Sequence, residues 1–374
     1  MSVSRASAAR PPTLMSASQQ PQAAGSVAVL LNANARSVSP RVVRALSEVI
    51  PSADLFLSHS LEEADEVARV VTERGYQTVL TGGGDGTFIG FLNAIAERLR
   101  ERSAKIELPR FGVLRMGTGN ALAYHAGASP LRRAGVQGDI LRTRAGQVQA
   151  TRHLDLVEVE GSQAPFSGLG HDALILNNYL RWKSLLAGGP LRRLGEGLIG
   201  YFLSIFAFTV PQTLANPRPA WVKIYNEGAP AWAIDLEGRQ IGPAIPAGEL
   251  LYEGPCHATA ASTCPYYGFG IRMFPAADHT PGRMALRVSS ASALELLTNM
   301  RSVWVGTFTS PRVHDFQVER VRLELDRPMP FHIAGDAEGW RDEVRFAVSA
   351  QPVQLLDFSS ATGRDPSPTP ELAA

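Results

Sequence analysis

Cysteine is nearly absent from this chain of 374 residues, with only Cys256 and Cys264 present. Two cysteines cannot build a disulfide scaffold, and their spacing matches no common zinc site, so they read as buried or free thiols in a reducing compartment. Net charge is equally scant at +1, which argues against general binding to nucleic acid. A long hydrophobic run is missing as well. The stretch from Leu198 to Val210 carries no charge, but Pro211 and Pro217 end it short of the roughly 20 apolar residues a transmembrane helix needs. It reads as a buried or interfacial helix. The first 25 residues hold Arg5 and Arg10, no acid, no secretory apolar stretch and no periodic apolar face. They read as a disordered tail, as do residues 357–374, rich in Pro, Ser and Thr. No Gly-x-Ser-x-Gly elbow anchors a hydrolase reading. The most glycine-rich loop, Gly82 to Gly86, is neither a Walker A sequence nor Gly-x-Gly-x-x-Gly, which disfavours P-loop and hydride-transfer chemistry there.

What is present is a glycine loop with a carboxylate in it. Thr81-Gly82-Gly83-Gly84-Asp85-Gly86-Thr87 follows a strand-like run, Tyr76 to Leu80, and precedes a helical one, Phe88 to Ile95. Glycines between strand and helix let backbone N–H groups approach a ligand, and the helix start favours an anion. A carboxylate there would repel bare phosphate. A magnesium ion or a hydroxyl awaiting deprotonation would explain it. Thr87 can cap the helix that follows. One strand and helix later, Met116-Gly117-Thr118-Gly119-Asn120 repeats the arrangement and supplies a second wall for a nucleotide cleft.

Strand and helix alternate from residue 26 to about residue 150. Val27 to Leu31, Asp54 to Leu57 and Phe111 to Leu114 read as further strands, Ser39-Pro40 opens a helix, and Ser60 with Glu63 opens another that Gly75 closes. This pattern predicts a parallel sheet with helices on both faces and ligands at the carboxyl ends of its strands. Asn32, Ser60, Asp85 and Gly119 all fall just past strand ends. Beyond about Thr151 the texture turns to β, with strands expected at 154–159, 219–225, 232–236, 268–274, 283–288 and 318–325. The exception is a helical pattern from about Leu191 to Phe208. An acidic turn, Gly335-Asp336-Ala337-Glu338-Gly339, sits between strand-like runs from Phe331 to Ala350.

Taken together, Gly83-Gly84-Asp85-Gly86-Thr87 and Gly117-Thr118-Gly119-Asn120 resemble the catalytic domain of diacylglycerol, sphingosine and bacterial lipid kinases. Four looser matches extend the likeness: Asn32-Ala33-Asn34 to a nucleotide turn, His153-Leu154-Asp155-Leu156 to the entry of the second domain, Gly170-His171-Asp172-Ala173 to a Gly-Phe-Asp-Ala segment, and Asp336-Ala337-Glu338 to an Asp-Gly-Glu turn. Gly119-Asn120-Ala121-Leu122-Ala123 and Leu191-Arg192-Arg193-Leu194-Gly195-Glu196 are similar to the sphingosine-kinase side. Pro281-Gly282 departs from the family's Asp-Gly, which holds magnesium in some bacterial members, and Ala337 replaces a glycine.

The resemblance implies an NAD-kinase- and phosphofructokinase-like α/β domain (26–150) followed by a mostly β, sandwich-like domain (151–330). A segment at 331–356 would bring the acidic turn back to the nucleotide cleft. It also implies an ATP-dependent kinase that phosphorylates a primary hydroxyl of a lipid, with Mg2+ as cofactor. In this reading Gly82, Gly83, Gly84, Gly86, Gly117, Thr118 and Gly119 cradle phosphates, Asn32, Ser60, Thr87 and Asn120 help hold the nucleotide, and Arg192 clamps phosphate. Asp85 is the general base or the magnesium-associated carboxylate, with Asp336 and Glu338 completing the acidic side. The expected setting is cytoplasmic and peripheral to a membrane that presents the lipid, and an edge strand could pair two copies. The alternatives are a soluble-metabolite kinase of the NAD-kinase type and a non-catalytic nucleotide- or lipid-binding regulator.

Overall fold

The structure is a computed structural model that describes residues 26–35, 37–102, 107–187, 192–195, 197–215 and 218–361. Four parallel strands form one side of the first sheet: β1 (Val27–Asn32), β2 (Leu55–Ser58), β3 (Thr78–Gly83) and β4 (Arg110–Arg115), in the order β2-β1-β3-β4 from its edge inward. β1 is buried at nearly every position, as a strand covered on both faces must be. The helices α1 (Pro40–Ser47), α2 (Leu61–Arg74) and α3 (Asp85–Arg102) connect these strands. Ser39 caps α1 through the Val42 N–H, and Gly75, at φ 65°, closes α2 in the left-handed conformation. Two short helices follow β4, namely α4 (Ala121–His125) and α5 (Gly135–Arg144).

The sheet is finished by the far end of the chain. Strand Val353–Leu356 lies parallel to β4, and β5 (Thr151–Leu154) runs antiparallel along its other side. Asp357 and Phe358, expected in a tail, continue this packing. Phe358 is fully buried, its N–H donates to Ala126 O, and Asp357 pairs with Arg152 at 2.9 Å. An aromatic ring in that position shields a glycine, Gly112, from water. Residues 1–25 and 362–374 lie outside the described residues.

The second sheet has twelve strands and is antiparallel. It contains β6 (Val157–Val159), β7 (Ser162–Ala164) and β8 (Phe166–Gly170). Its organising strand is the long Arg320–Ile333. The first part of that strand pairs with Ala220–Asn226, whereas residues 331–333 pair with β8. The sheet branches there and closes over a core of Val222, Ile224, Leu286, Val288, Leu323 and Phe346. Alternating burial along Ala220–Asn226 gives that core one side chain in two.

One expectation fails here for an identifiable reason, and another gains detail. Residues 268–274 form a loop, because Phe269 (φ 57°) and Gly270 (φ 78°) turn the chain back on itself. The Leu191-to-Phe208 pattern resolves into a 3-10 turn (Arg192–Gly195), helix α7 (Gly197–Ser204), a wide π turn (Ile205–Thr209) and α8 (Val210–Ala215). These pack on a helix that the sequence reading missed, α6 (His171–Leu186). No helix among the described residues is long and apolar enough to cross a membrane.

Since the last strand completes the first sheet, truncating its anchor should unfold that sheet. Phe358→Ala is expected to cost about 3–5 kcal/mol, measured by denaturant unfolding.

Candidate active site

The loops after β3 and β4 leave adjacent strands on the same edge and meet backbone to backbone. A Cβ on Gly117 would stand 2.4 Å from Gly84 Cα and 2.7 Å from Gly83 O, so only glycine fits at Gly117. Asn120, left-handed at φ 58°, closes the second turn. Its Oδ1 accepts from Gly117 N–H at 2.8 Å, and its Nδ2 donates to Gly117 O at 2.8 Å. The Gly117 N–H is therefore taken within the turn and is not presented to a phosphate.

Asp85 begins α3 yet serves α4. Its Oδ1 accepts the Leu122 N–H at 2.9 Å and its Oδ2 the Ala121 N–H at 3.0 Å. Those N–H groups stand in the first turn of α4, where no residue of the same helix can accept them. Burial pushes the Asp85 carboxyl upward, and the N–H donors from Leu122 and Ala121 oppose that. The carboxylate expected to stand open in the cleft is thus the bolt between the two loops.

The other expected residues divide. Asn32 Nδ2 donates to Thr87 Oγ1 at 3.0 Å, which ties the end of β1 to the first turn of α3. Thr87 accordingly braces β1 and lies against Gly83 rather than capping its own helix. Gly82 serves packing, since a Cβ there would meet Leu31 and Met116. Ser60 stands apart: it is exposed, past the edge strand β2, and its hydroxyl caps α2 through the Glu63 N–H at 3.2 Å. The hydroxyl of Ser60 therefore belongs to α2. Thr118 and Gly119 lie half-buried on the second turn. The side chain of Arg192 lies outside the described residues.

The acidic turn does reach the loops. A Cβ on Gly86 would be 3.1 Å from Asp336 Oδ2. Asp336 opens the strand Asp336–Val348, just after a hairpin whose positive φ values fall on Ala334 (51°) and Gly335 (91°). Ala337 needs no such freedom, so it fits where a glycine was expected. Glu338 is exposed nearby. Partial burial and then Glu338 push the Asp336 carboxyl up, and His332 offsets them.

Three side chains that no sequence motif assembled complete the cleft. Tyr267 Oη donates to Asp172 Oδ2 at 2.8 Å, His332 Nε2 lies 3.0 Å from the same oxygen, and Tyr267 also meets His332. Asp172 opens α6 directly after β8. His332 is almost fully buried on the strand that leads to Asp336. Desolvation and Asp172 hold the Tyr267 hydroxyl well above its ordinary range. Two residues on, the Phe269 N–H donates to Gly119 O at 2.8 Å, which sets this cluster against the second glycine turn. The Gly-His-Asp-Ala run at a strand end could have flagged Asp172. Nothing in the sequence flags Tyr267 or His332.

This arrangement has relatives. Residues 26–156 match the diacylglycerol kinase catalytic domain, and residues 245–356 match the YegS C-terminal NAD kinase beta sandwich-like domain. The chain thus joins a segment like the diacylglycerol kinase catalytic domain to one like the YegS C-terminal domain. A curated protein of Enterobacter sp. (strain 638), named "Probable lipid kinase YegS-like", is 36% identical over 102 residues. The match covers 26% of this chain and 32% of that protein. The fold is shared with solved structures from Bacillus anthracis str. Sterne. One, named "A putative diacylglycerol kinase", has a TM-score of 0.58 at 15% identity over 90% of this chain and 98% of that one. Another, named as a diacylglycerol kinase, has a TM-score of 0.56 at 12% identity with the same coverage.

The likeness to these domains sharpens the question of metal. At Pro281-Gly282, Gly282 N–H donates to Asp155 Oδ2 at 2.6 Å, and Asp155 Oδ1 lies 3.0 Å from His153 Nε2. A direct hydrogen bond joins the two segments, and both Asp155 oxygens are occupied. Among the described residues no three His, Cys, Asp or Glu side chains come close enough to hold a metal. A resident metal does not fit this seam.

The contact between the two loops is open to test. Gly117→Ala should destabilise the protein by about 1–3 kcal/mol and weaken nucleotide binding, as read by thermal unfolding with and without ATP.

Proposed function

We propose that the protein transfers the γ-phosphoryl group of ATP to a primary hydroxyl of a lipid, such as a diacylglycerol or a sphingoid base. What supports the reading is the set of contacts that gathers these residues, with Asp336 against Gly86 and the Tyr267 loop pinned to Gly119 through Phe269. On one side two bolted glycine loops stand at helix starts, and on the other Asp336 and the Asp172–Tyr267–His332 cluster face them. The matched kinase domain supports it.

The phosphates lie along the loop at Gly84 and Gly86 and beside Thr118 and Gly119, where backbone donors and helix starts favour anions. Asp85, Asn32, Thr87 and Asn120 keep that surface rigid. Magnesium fits as a companion of ATP, since it binds through one or two carboxylates plus phosphate oxygens and neutralises developing charge. Asp336, beside Gly86, is the carboxylate placed to meet it, with Glu338 adding negative potential. Asp172 receives the proton of the acceptor hydroxyl as its oxygen bonds to the γ-phosphorus and the bond to the β–γ bridging oxygen breaks. ADP leaves with that electron pair. Tyr267 and His332 hold the Asp172 carboxylate in place. The rest of the rate comes from positioning.

Incubation with ATP, magnesium and a panel of lipid alcohols, with NAD as a control, should give a phosphorylated lipid by mass spectrometry. Asp172→Asn should lower kcat by about 10²–10⁴ while leaving the KM for ATP near its wild-type value. Phosphorylation of NAD alone would overturn the reading. Near-normal turnover in Asp172→Asn would remove Asp172 as the proton acceptor.

A further inference from the structure

The helical unit from α6 to α8 lies between the two matched regions, and its central helix is apolar on both sides, with Ile205 buried and other large side chains exposed. Ser204 and Thr209 are buried at 0% and 3% exposure, whereas Ile199 (65%), Leu203 (37%) and Phe206 (58%) face outward. The outward residues recur at i, i+4 and i+7, so they share one side of α7 and its continuation. Leu180, Leu185 and Leu194 add further exposed apolar surface on the same unit. Scattered exposed leucines need no explanation, but a row of large apolar side chains along the outer side of a helix does.

Polar contacts hold this helix from its inner side. Asn178 Nδ2 donates to Thr209 Oγ1 at 3.0 Å and to Gln212 Oε1 at 2.9 Å, so α6 grips the π turn through a polar contact. Trp182 Nε1 donates to Leu194 O at 3.0 Å, which pins the 3-10 turn. The side of α7 that turns inward reaches the cleft. Tyr201 packs its ring 5.7 Å from Tyr179 and 5.3 Å from Phe269, the residue whose N–H meets the second glycine turn.

Charge identifies what covers the outer side. From His171 to Ala215 the cations are Arg181, Lys183, Arg192 and Arg193, and the acids are Glu196 and Asp172, the latter held by Tyr267 and His332. That is a surplus of two in a chain whose net charge is +1. Arg181 and Lys183 are exposed, and Arg181 lies over the Phe208 ring. Apolar side chains flanked by cations suit the interface of an anionic bilayer: the apolar row enters the acyl boundary and the cations meet the head groups.

We infer that the outward row Ile199, Leu203 and Phe206, with Arg181 and Lys183 beside it, docks the protein on an anionic lipid bilayer. Helix α7 then has bilayer on one side and the cleft on the other, and a lipid acceptor passes around it without crossing water. The partner rests on the lipid-kinase reading, but the docking measurement requires no turnover.

The test is flotation of the full chain with vesicles of phosphatidylcholine alone or with added phosphatidylglycerol, without ATP. Wild type should float with the anionic vesicles, less so in high salt and less on neutral vesicles. Ile199→Ser, Leu203→Ser and Phe206→Ser combined should reduce that binding by about tenfold or more. The thermal midpoint should stay unchanged, because these side chains support no core. Lys183→Glu, with no apolar change, should weaken the anionic component alone. Three results each overturn the proposal: wild type that does not float, the triple variant floating like wild type, or a solution dimer that the triple substitution splits with flotation unaltered. Flotation without phosphorylation of any lipid would leave the docking surface standing and remove the kinase reading.

Discussion

The site depends on one buried carboxylate held by two backbone N–H groups. Asp85 leaves the first glycine loop and accepts both Ala121 and Leu122 of the second. Hydrogen bonds to a charged group contribute about 1.5–3 kcal/mol each, and N–H groups left unmatched in the same place would cost a similar amount. Burial works against the charge, which makes those two donors necessary to the ion. The bolt explains why the loops can touch at Gly84 and Gly117 without springing apart. It also changes the meaning of the motif. An acidic residue among glycines suggests an exposed catalytic group, yet this one ties two glycine loops together.

Everything else reaches the cleft through those loops. The hairpin at Ala334 and Gly335 turns Asp336 towards Gly86, and the same strand carries His332 to Asp172 and Tyr267. The loop containing Tyr267 is itself pinned to the second glycine turn through Phe269 and Gly119. Both sheets therefore contribute to one site, and the chain seals the arrangement by returning its last strand and Phe358 to the first sheet. Helix α7 links the cleft to the outer surface by presenting Tyr201 inward and its apolar row outward.

Much of this was legible in residues whose neighbours are close in sequence. The strand and helix alternation, the two glycine turns and the cap on α1 follow from local patterns, and the structure has them. Three kinds of feature were hidden. The partners of Asp85 lie 36 and 37 positions away, so no local pattern could show that its oxygens were occupied. Tyr267 and His332 meet Asp172 only because the second sheet brings β8 beside residues 331–333. Phe358 sits in a stretch with the composition of a tail, and burial against Gly112 overrides that composition. Ser60 carried two readings. Its place past a strand end suggested a ligand contact, whereas capping of α2 accounts for its hydroxyl.

The most direct test of the bolt is amide hydrogen exchange at the start of α4 in wild type and Asp85→Asn, paired with ATP affinity. The account predicts that Ala121 and Leu122 exchange faster in the variant and that ATP affinity falls with them. Unchanged exchange and unchanged affinity, with turnover lost, would make Asp85 a reacting group and contradict the account.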